Sequence, residues 1–469
     1  MTEANDFLTT TWSRRMQRHT GPLYLSIVEA LSEAIREGEV QEGDRLPPQR
    51  QLAAGLQVDL TTVTRAFTEA RRRGLVDATV GRGSFVRVGA AALRWRADGR
   101  SVMDMTMNMP PALSEPSLER MVQEGLARLI KRQDVHLLMS YRVTAGSPEE
   151  RTAGATWLEP LIGPRDAGEI LVAPGAQSAM TAVLTTMTRP GDTVVAEFCT
   201  YPGIRALAAQ FGLVLAGVEM DAEGMVPEAL HDVCGRIHPK LIYCTPSIQN
   251  PTTATMSLAR RHEILTVARR HGVMILEDEP YGLLADQILP ALAGLEPRRV
   301  FHVATMAKTL SPGLRMAFIA APGPDHATRV TAALRATSLT TPGLLAGLTA
   351  LWIRGGQANA VLHAIRTEAT ARQTLAREML AQAACAHPNG LHVWLRLTPH
   401  WSSAEFVAYV RNQGLALVPS EVFTVQGRPP ERVRIALGAA PDREALRGSL
   451  QAISAALLHR RTQGYDEVV

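Results

Sequence analysis

Apolar positions fall into two regimes along this chain, and the change between them divides it. Residues 22–37, PLYLSIVEALSEAIRE, put Leu23, Ile27, Leu31 and Ile35 at helical spacing and predict an amphipathic helix. A turn-rich stretch, GEVQEGDRLPP, follows, and Pro47 and Pro48 suit the start of a second helix, QRQLAAGLQ. After a break at Val58 and Asp59, a third helix carries Val63, Ala66, Phe67 and Ala70 on its apolar side. Gly74 can stop it, and two short β-type runs flank Gly81, Arg82 and Gly83 as a hairpin. Three helices and a hairpin form the layout of a winged helix-turn-helix, whose third helix enters the DNA major groove.

From about residue 105 the pattern changes to apolar runs of strand length separated by helical segments. The runs are ILVAP (170–174), TVVAE (193–197), LVLAGVEM (213–220), LIYCTP (241–246), VMILED (273–278), VFHVATM (300–306) and MAFIAAP (316–322). Continuously apolar strands alternating with amphipathic helices predict an α/β domain with a largely parallel sheet covered on both faces. Ligands of such sheets lie at the carboxyl ends of the strands, so the residues just after each run should converge. The expected organisation is a DNA-binding module over 1–88, a linker of small and charged residues over 89–104, and a large domain over 105–469. Within the last, the sheet-bearing part spans about 140–340 and a smaller α+β part about 345–469.

Charge sharpens the N-terminal reading. Residues 45–87 hold eight arginines against three acids, whereas residues 20–44 hold one arginine against six acids. The basic half is the expected DNA face, neutralising phosphates in a salt-dependent way. A helical module with a solvated Arg-rich surface is the alternative. The four cysteines (Cys199, Cys234, Cys244, Cys385) are scattered without a CxxC pair, which points away from a zinc site or disulfide framework. The first twenty residues lack an apolar signal core and no run reaches membrane-spanning length, so a cytoplasmic protein is expected.

Lysine is scarce: Lys131, Lys240 and Lys308 are the only three in an arginine-rich chain. Imine formation is one task that arginine cannot perform, because guanidinium stays protonated. Lys131 lies in a helical surface run and Lys240 opens a strand, but Lys308 comes just after VFHVATM, at the ligand edge. Its company there is chemically coherent. Pro174, Gly175, Ala176 and Gln177 open a helix whose N–H groups suit a phosphate. Tyr201 can stack on an aromatic ring, Asn250 can donate to a phenolate, Asp278 ends a strand with Tyr281 three residues on, and Arg315 comes seven residues after Lys308. Each has an ordinary reading alone: a helix cap, an Asn-Pro turn, a surface charge. Together they meet the needs of pyridoxal 5'-phosphate (PLP): a lysine to hold it, a carboxylate for the pyridine nitrogen, donors for the ring oxygen and an arginine for the phosphate.

These motifs carry two resemblances. The segments LYLSIVEALSEAI, GDRLPPQRQLA, TTVTRAFTEARRRGLV and GRGSFV resemble the GntR family of winged-helix regulators over about seventy residues. That resemblance implies Arg50, Thr61, Thr62, Thr64 and Arg65 as DNA-facing positions, and Gly81, Arg82 and Gly83 as a wing tip. Leu60 stands where many relatives have arginine, so base preference does not transfer. Residues from about 105 to 455 resemble fold-type I aminotransferases of the kynurenine and α-aminoadipate subgroup. Joined to a GntR-type module, this is the arrangement of the MocR subfamily of regulators.

The second resemblance implies Lys308 as the Schiff-base lysine and Asp278 for the pyridine nitrogen. It implies Asn250 and Tyr281 for the ring oxygen and Tyr201 as stacking partner. Ala176, Gln177, Thr305 and Arg315 fall to the phosphate, Tyr141 to the phosphate of a partner subunit, and Arg434 to an effector carboxylate. A solvated strand arginine is the competing reading of Arg434. Thr305 replaces the usual serine but keeps the hydroxyl, and Asn389 replaces a glycine of the small-domain turn. The implied protein is a homodimer on operator DNA, with DNA modules exchanged between subunits as one arrangement, and with an amino compound or PLP itself as effector. A working aminotransferase with an accessory DNA-binding module is the alternative; no membrane partner is implied.

Overall fold

The computed structural model describes residues 22–36, 44, 46–72, 76–79, 83–86, 102–113, 115–141 and 145–459. The chain divides into two compact units, Met1–Val102 and Met103–Val469, and each is described by itself. In the first, α1 (Leu23–Arg36), α2 (Gln49–Leu56) and α3 (Leu60–Arg72) precede an antiparallel pair, β1 (Val76–Thr79) and β2 (Gly83–Val86). The core closes on Ile27, Val28, Leu31, Leu52, Leu56, Val63, Phe67 and Val76. Leu23, expected on the buried face of α1, is instead 57% exposed. Ser26, Val28, Ala30 and Ala34 share the buried face with Ile27 and Leu31. Pro48 caps α2, whose own start needs no N–H there. Asp59 accepts from the Thr61 N–H at 2.8 Å and so satisfies an orphan donor at the start of α3. A bond from Leu46 N to Ser84 O, 2.9 Å, ties the turn before α2 to β2.

The second unit is built on seven strands: β4 (Ile170–Ala173), β5 (Thr193–Glu197), β6 (Val214–Val218), β9 (Leu241–Cys244), β10 (Met274–Asp278), β11 (Val300–Thr305) and β12 (Ala317–Ala320). Before them comes β3 (Met103–Asp104), and a small hairpin of β7 (Met220–Asp221) and β8 (Gly224–Met225) follows β6. The spatial order is β4-β12-β11-β10-β9-β5-β6. All pairings are parallel except those of β12, which runs antiparallel to both β11 and β4. The run 213–220, expected as one strand, breaks after Val218 into the hairpin strand β7.

Alternate residues of the strands enter two different cores. Val172, Val195, Ile242 and Ile275 pack on one side with α5 (Pro148–Ile162), α9 (Leu258–His271) and α11 (Gly343–Arg354). Leu171, Val194, Leu241 and Leu276 pack on the other with α6 (Ala176–Met187) and α10 (Pro324–Ser338). Burial on both faces is the reason the strands read as unbroken apolar runs. Around the same sheet lie three further helices of at least nine residues, α4 (Leu118–Arg132), α7 (Pro202–Gln210) and α8 (Pro227–Ile237).

After α12 (Gln357–Leu380) the chain forms a smaller antiparallel sheet, β13 (Ala384–Ala386), β14 (His392–Arg396), β16 (Val418–Pro419) and β17 (Arg432–Ala436). Its core combines Val393, Leu395, Val433 and Ile435 with Phe406 of α13 (Ser403–Asn412) and Leu450 of α14 (Arg443–Leu458). Between α13 and β16, β15 (Leu415–Ala416) pairs in parallel with β3. No helix of the described residues is long and apolar enough to cross a membrane.

Candidate functional site

The segments that follow β4, β5, β9, β10 and β11 lead to one edge of the sheet, and most of the sequence-predicted side chains meet there. Asp278 ends β10 and is buried. Its Oδ2 accepts from the Tyr243 hydroxyl at 2.8 Å, while its Oδ1 is buried without a partner in the structure. Burial lifts the Asp278 carboxyl to about 6, against the pull of Tyr243, His302 and Lys308, so it remains mostly ionised at neutral pH. Lys308 lies in the turn after β11. Burial and the nearby Arg434 charge bring its amine down to about 8, with Asp278 opposing. The Lys308 Nζ donates to the main-chain carbonyl of Asn108.

Arg434, on β17, is buried and lies 5.0 Å above the Phe423 ring. It donates from Nη1 to Asn250 Oδ1 at 2.9 Å and from Nη2 to the Thr106 carbonyl, and its Nε is buried without a partner. A guanidinium carries five N–H donors, so the remaining ones are free to bind a carboxylate. The bond from Arg434 also orients Asn250: with Oδ1 occupied, the amide nitrogen is the end left to donate. Tyr281 is buried and accepts from Asn108 Nδ2 at 2.8 Å.

At the start of α6 the chain passes through Gly175 at φ +94°, a conformation that favours glycine. A Cβ there would lie 3.1 Å from Arg315 Nη2, so glycine lets the guanidinium close on the helix start. Ala176 and Gln177 are the first residues of that helix, and Gln177 Nε2 donates to the Gly203 carbonyl at 3.0 Å. Tyr201 caps α7 beside them. Burial raises its hydroxyl pKa, with Asp278 adding to the rise and Arg434 and Arg315 opposing. Thr305 ends β11, and its Oγ1 accepts from the Ala307 N–H at 3.2 Å. Tyr141 is 80% exposed on the single chain and is not part of this cluster.

These residues fit PLP. The partnerless, ionised Asp278 Oδ1 is the acceptor that a protonated pyridine nitrogen requires. The glycine-lined helix start beside Arg315 suits a phosphate dianion. Sequence reasoning missed three neighbours: Tyr243, Asn108 and His392. Tyr243 had a signal, because a tyrosine inside a buried strand must find a partner for its hydroxyl. A histidine in the apolar run LHVWL carried a similar hint. Asn108, in MTMNMPP, carried none.

In the first unit the predicted DNA-facing residues are outward but not all free. Arg50, Thr61, Thr64 and Arg65 are exposed and Thr62 is half-buried. Thr61 Oγ1 donates to Asp59 Oδ1 at 2.5 Å, Thr64 Oγ1 to Gln49 Oε1 at 3.1 Å, and the Arg65 guanidinium covers the Tyr24 ring at 4.5 Å. Gly83 opens β2, whereas Gly81 and Arg82, like Gly74, lie outside the described residues.

Comparison with known proteins agrees with both units. Residues 100–453 match the class I and II aminotransferase family, and residues 23–86 match the gntR family of bacterial regulatory proteins. The chain is 29% identical to the helix-turn-helix-type transcriptional regulator YdeF of Bacillus subtilis, across 94% of this chain and 95% of that one. It is 28% identical to the transcriptional regulator TauR of Rhodobacter capsulatus, across 86% and 90%. Its structure is similar to the α-aminoadipate aminotransferase LysN of Thermus thermophilus, solved with N-(5'-phosphopyridoxyl)-L-leucine, with a TM-score of 0.70, 25% identity, and 79% of this chain and 97% of that one covered. The chain thus belongs to the class I and II aminotransferase family and carries a gntR-type helix-turn-helix in front, as in the transcriptional regulators to which it is similar.

Proposed function

We propose that the chain is a PLP-dependent, DNA-binding transcriptional regulator in which an amino compound, or PLP itself, binds the second unit and modulates operator binding. The observation that carries this is the unpartnered, buried Asp278 Oδ1 facing the same site as the Lys308 amine, in a chain that opens with a winged helix-turn-helix. Lys308 holds the cofactor covalently and Asp278 holds its ring nitrogen. Asn250 and Tyr281 donate to its ring oxygen, Tyr201 covers its face, and Ala176, Gln177, Thr305 and Arg315 take its phosphate. Arg434 grips the effector's carboxylate. Bound there, the cofactor supplies an aldehyde that captures primary amines and a protonated ring that withdraws electrons.

Two bonds suggest how a signal reaches the DNA module. Lys308 and Arg434, the groups that cofactor and effector engage, donate to the carbonyls of Asn108 and Thr106, respectively. That segment runs back along the chain through β3, at the end of the linker over residues 89–104, to the DNA-binding module over residues 1–88. An effector that engages Arg434 therefore binds a group that also holds the segment leading to the module. A coupling of about 1–3 kcal/mol is enough to shift operator occupancy. In a homodimer, exposed Tyr141 reaches the partner's phosphate, and two modules read two half-sites, either in place or exchanged between subunits.

The test is a DNA-binding assay on the promoter region beside the protein's own gene, with PLP and a panel of amino acids and amines. The expected response depends on an added amine and vanishes in Lys308→Ala. The polar inventory around Lys308 also suits an aminotransferase. Steady-state transamination with a 2-oxo acid at ordinary enzyme rates, without specific DNA binding, would overturn the regulator in favour of that reading.

A further inference from the structure

Two side chains are assigned the task of donating to one oxygen, and neither sets its own direction. Arg434 sets that of Asn250. The direction of Tyr281 is set by groups to which no role has been given. His392, on β14, is buried, with its ring 5.8 Å from that of Tyr281. Its Nε2 lies 3.2 Å from the Gln249 carbonyl oxygen and its Nδ1 lies 3.1 Å from Asn108 Nδ2. A carbonyl oxygen can only accept, so Nε2 carries the ring proton. Burial, with Arg434 nearby, pushes the ring pKa down to about 3, so His392 is neutral and Nδ1 is an acceptor. The atom that faces Nδ1 must then be a donor, and this decides which way the Asn108 amide points.

Asn108 Nδ2 has a second hydrogen, and the Tyr281 oxygen receives it at 2.8 Å. An oxygen that accepts from Asn108 keeps its own proton for another partner. The opposite polarity would place a bare Nε2 lone pair against the Gln249 carbonyl and turn the tyrosine proton back toward Asn108. From this geometry we infer that Asn108 and His392 are positioning residues that direct the Tyr281 hydroxyl proton into the site, toward the ring oxygen of the cofactor. The last step rests on the PLP reading of the site; the relay itself does not.

Two measurements separate them. In the cofactor-free full-length protein, ¹⁵N-histidine NMR, with His392 assigned through His392→Gln, should show a neutral ring protonated on Nε2 from pH 5 to 9. An Nδ1-protonated ring, or protonation near neutral pH, overturns the relay. In the PLP-loaded protein, the readout is the pH midpoint of the visible absorption band. A donor on the ring oxygen drains negative charge that would otherwise hold a proton on the adjacent lysine-linked nitrogen, so its loss raises the midpoint. Tyr281→Phe should raise it by about one pH unit. Asn108→Asp, of the same shape but with acceptors only, should shift it in the same direction, and Asn108→Ala likewise. Combining either with Tyr281→Phe should add nothing, as for residues in one network. Asn108 variants that load cofactor and titrate like the wild type, or shifts that add, overturn the inference. A wild-type protein that develops no visible band with PLP overturns the cofactor reading, and the histidine spectrum still decides the relay.

Discussion

The N-terminal unit keeps its buried core apart from the exposed positions proposed to face DNA, whereas in the second unit the proposed cofactor residues are themselves buried. In α3, Val63, Phe67 and Ala70 are buried and Thr61, Thr64 and Arg65 are exposed on the opposite side. At the ligand edge of the large sheet, Asp278, Tyr281, Asn250 and Arg434 are buried, Asp278 bonded to Tyr243, Tyr281 to Asn108, and Arg434 to Asn250 and the Thr106 carbonyl. DNA offers charge at a surface, so exposed side chains suffice. A small cofactor demands several groups placed together with water excluded, and such groups must be buried and mutually satisfied. The difference teaches that substitutions should separate binding from stability in the first unit and entangle them in the second.

The largest effect is expected from Lys308→Ala, which should abolish the visible absorption of added PLP while leaving salt-dependent binding to non-specific DNA unchanged. Next come two core deletions that should act independently. Phe67→Ala should cost about 3–5 kcal/mol and unfold the small module without altering cofactor absorption. Glu277→Ala should cost about 3–5 kcal/mol in the second unit only. Glu277 is fully buried and accepts from His302 Nδ1 at 2.8 Å and from the N–H groups of Leu292 and Ala293. Thermal unfolding monitored by circular dichroism and by cofactor absorbance would expose any coupling between the two losses.

A smaller effect is expected from the Lys308 amine. Only its neutral form attacks an aldehyde, and burial places the titration near 8. The rate of PLP capture by the cofactor-free protein should therefore rise through pH 8 and level off above it, falling about tenfold per pH unit below. A rate still climbing at pH 10 would mean that Lys308 is not desolvated. The smallest is Arg50→Ala, which should weaken binding evenly across DNA sequences, lower the salt slope by about one and leave stability within about 0.5 kcal/mol. A marked loss of stability there would break the contrast between the units.

Most of the fold was legible because its signals are local. The helical spacing of α1 and α3, the turn residues before α2 and the apolar runs of the sheet each need only neighbouring residues to be read. Lys308, Asp278 and Tyr281 were legible for a related reason: each sits at or just past the end of a strand, and a parallel sheet gathers its strand ends along one edge, which the start of antiparallel β12, just after Arg315, shares. Antiparallel β12 was not foreseen, because an apolar run carries no direction. The break after Val218 escaped for the same lack of a local mark.

By itself, then, the amino-acid sequence determined the two-unit plan, the α/β sheet and the set of side chains at its ligand edge, since periodicity and strand ends are properties of short segments. Tertiary structure alone decided how those side chains are aimed. Tyr281 and His392 stand 173 and 284 positions from Asn108, the residue that joins them. Hydrogen-bond direction is settled by the partner a group meets in space, and no spacing along the chain records who that partner is.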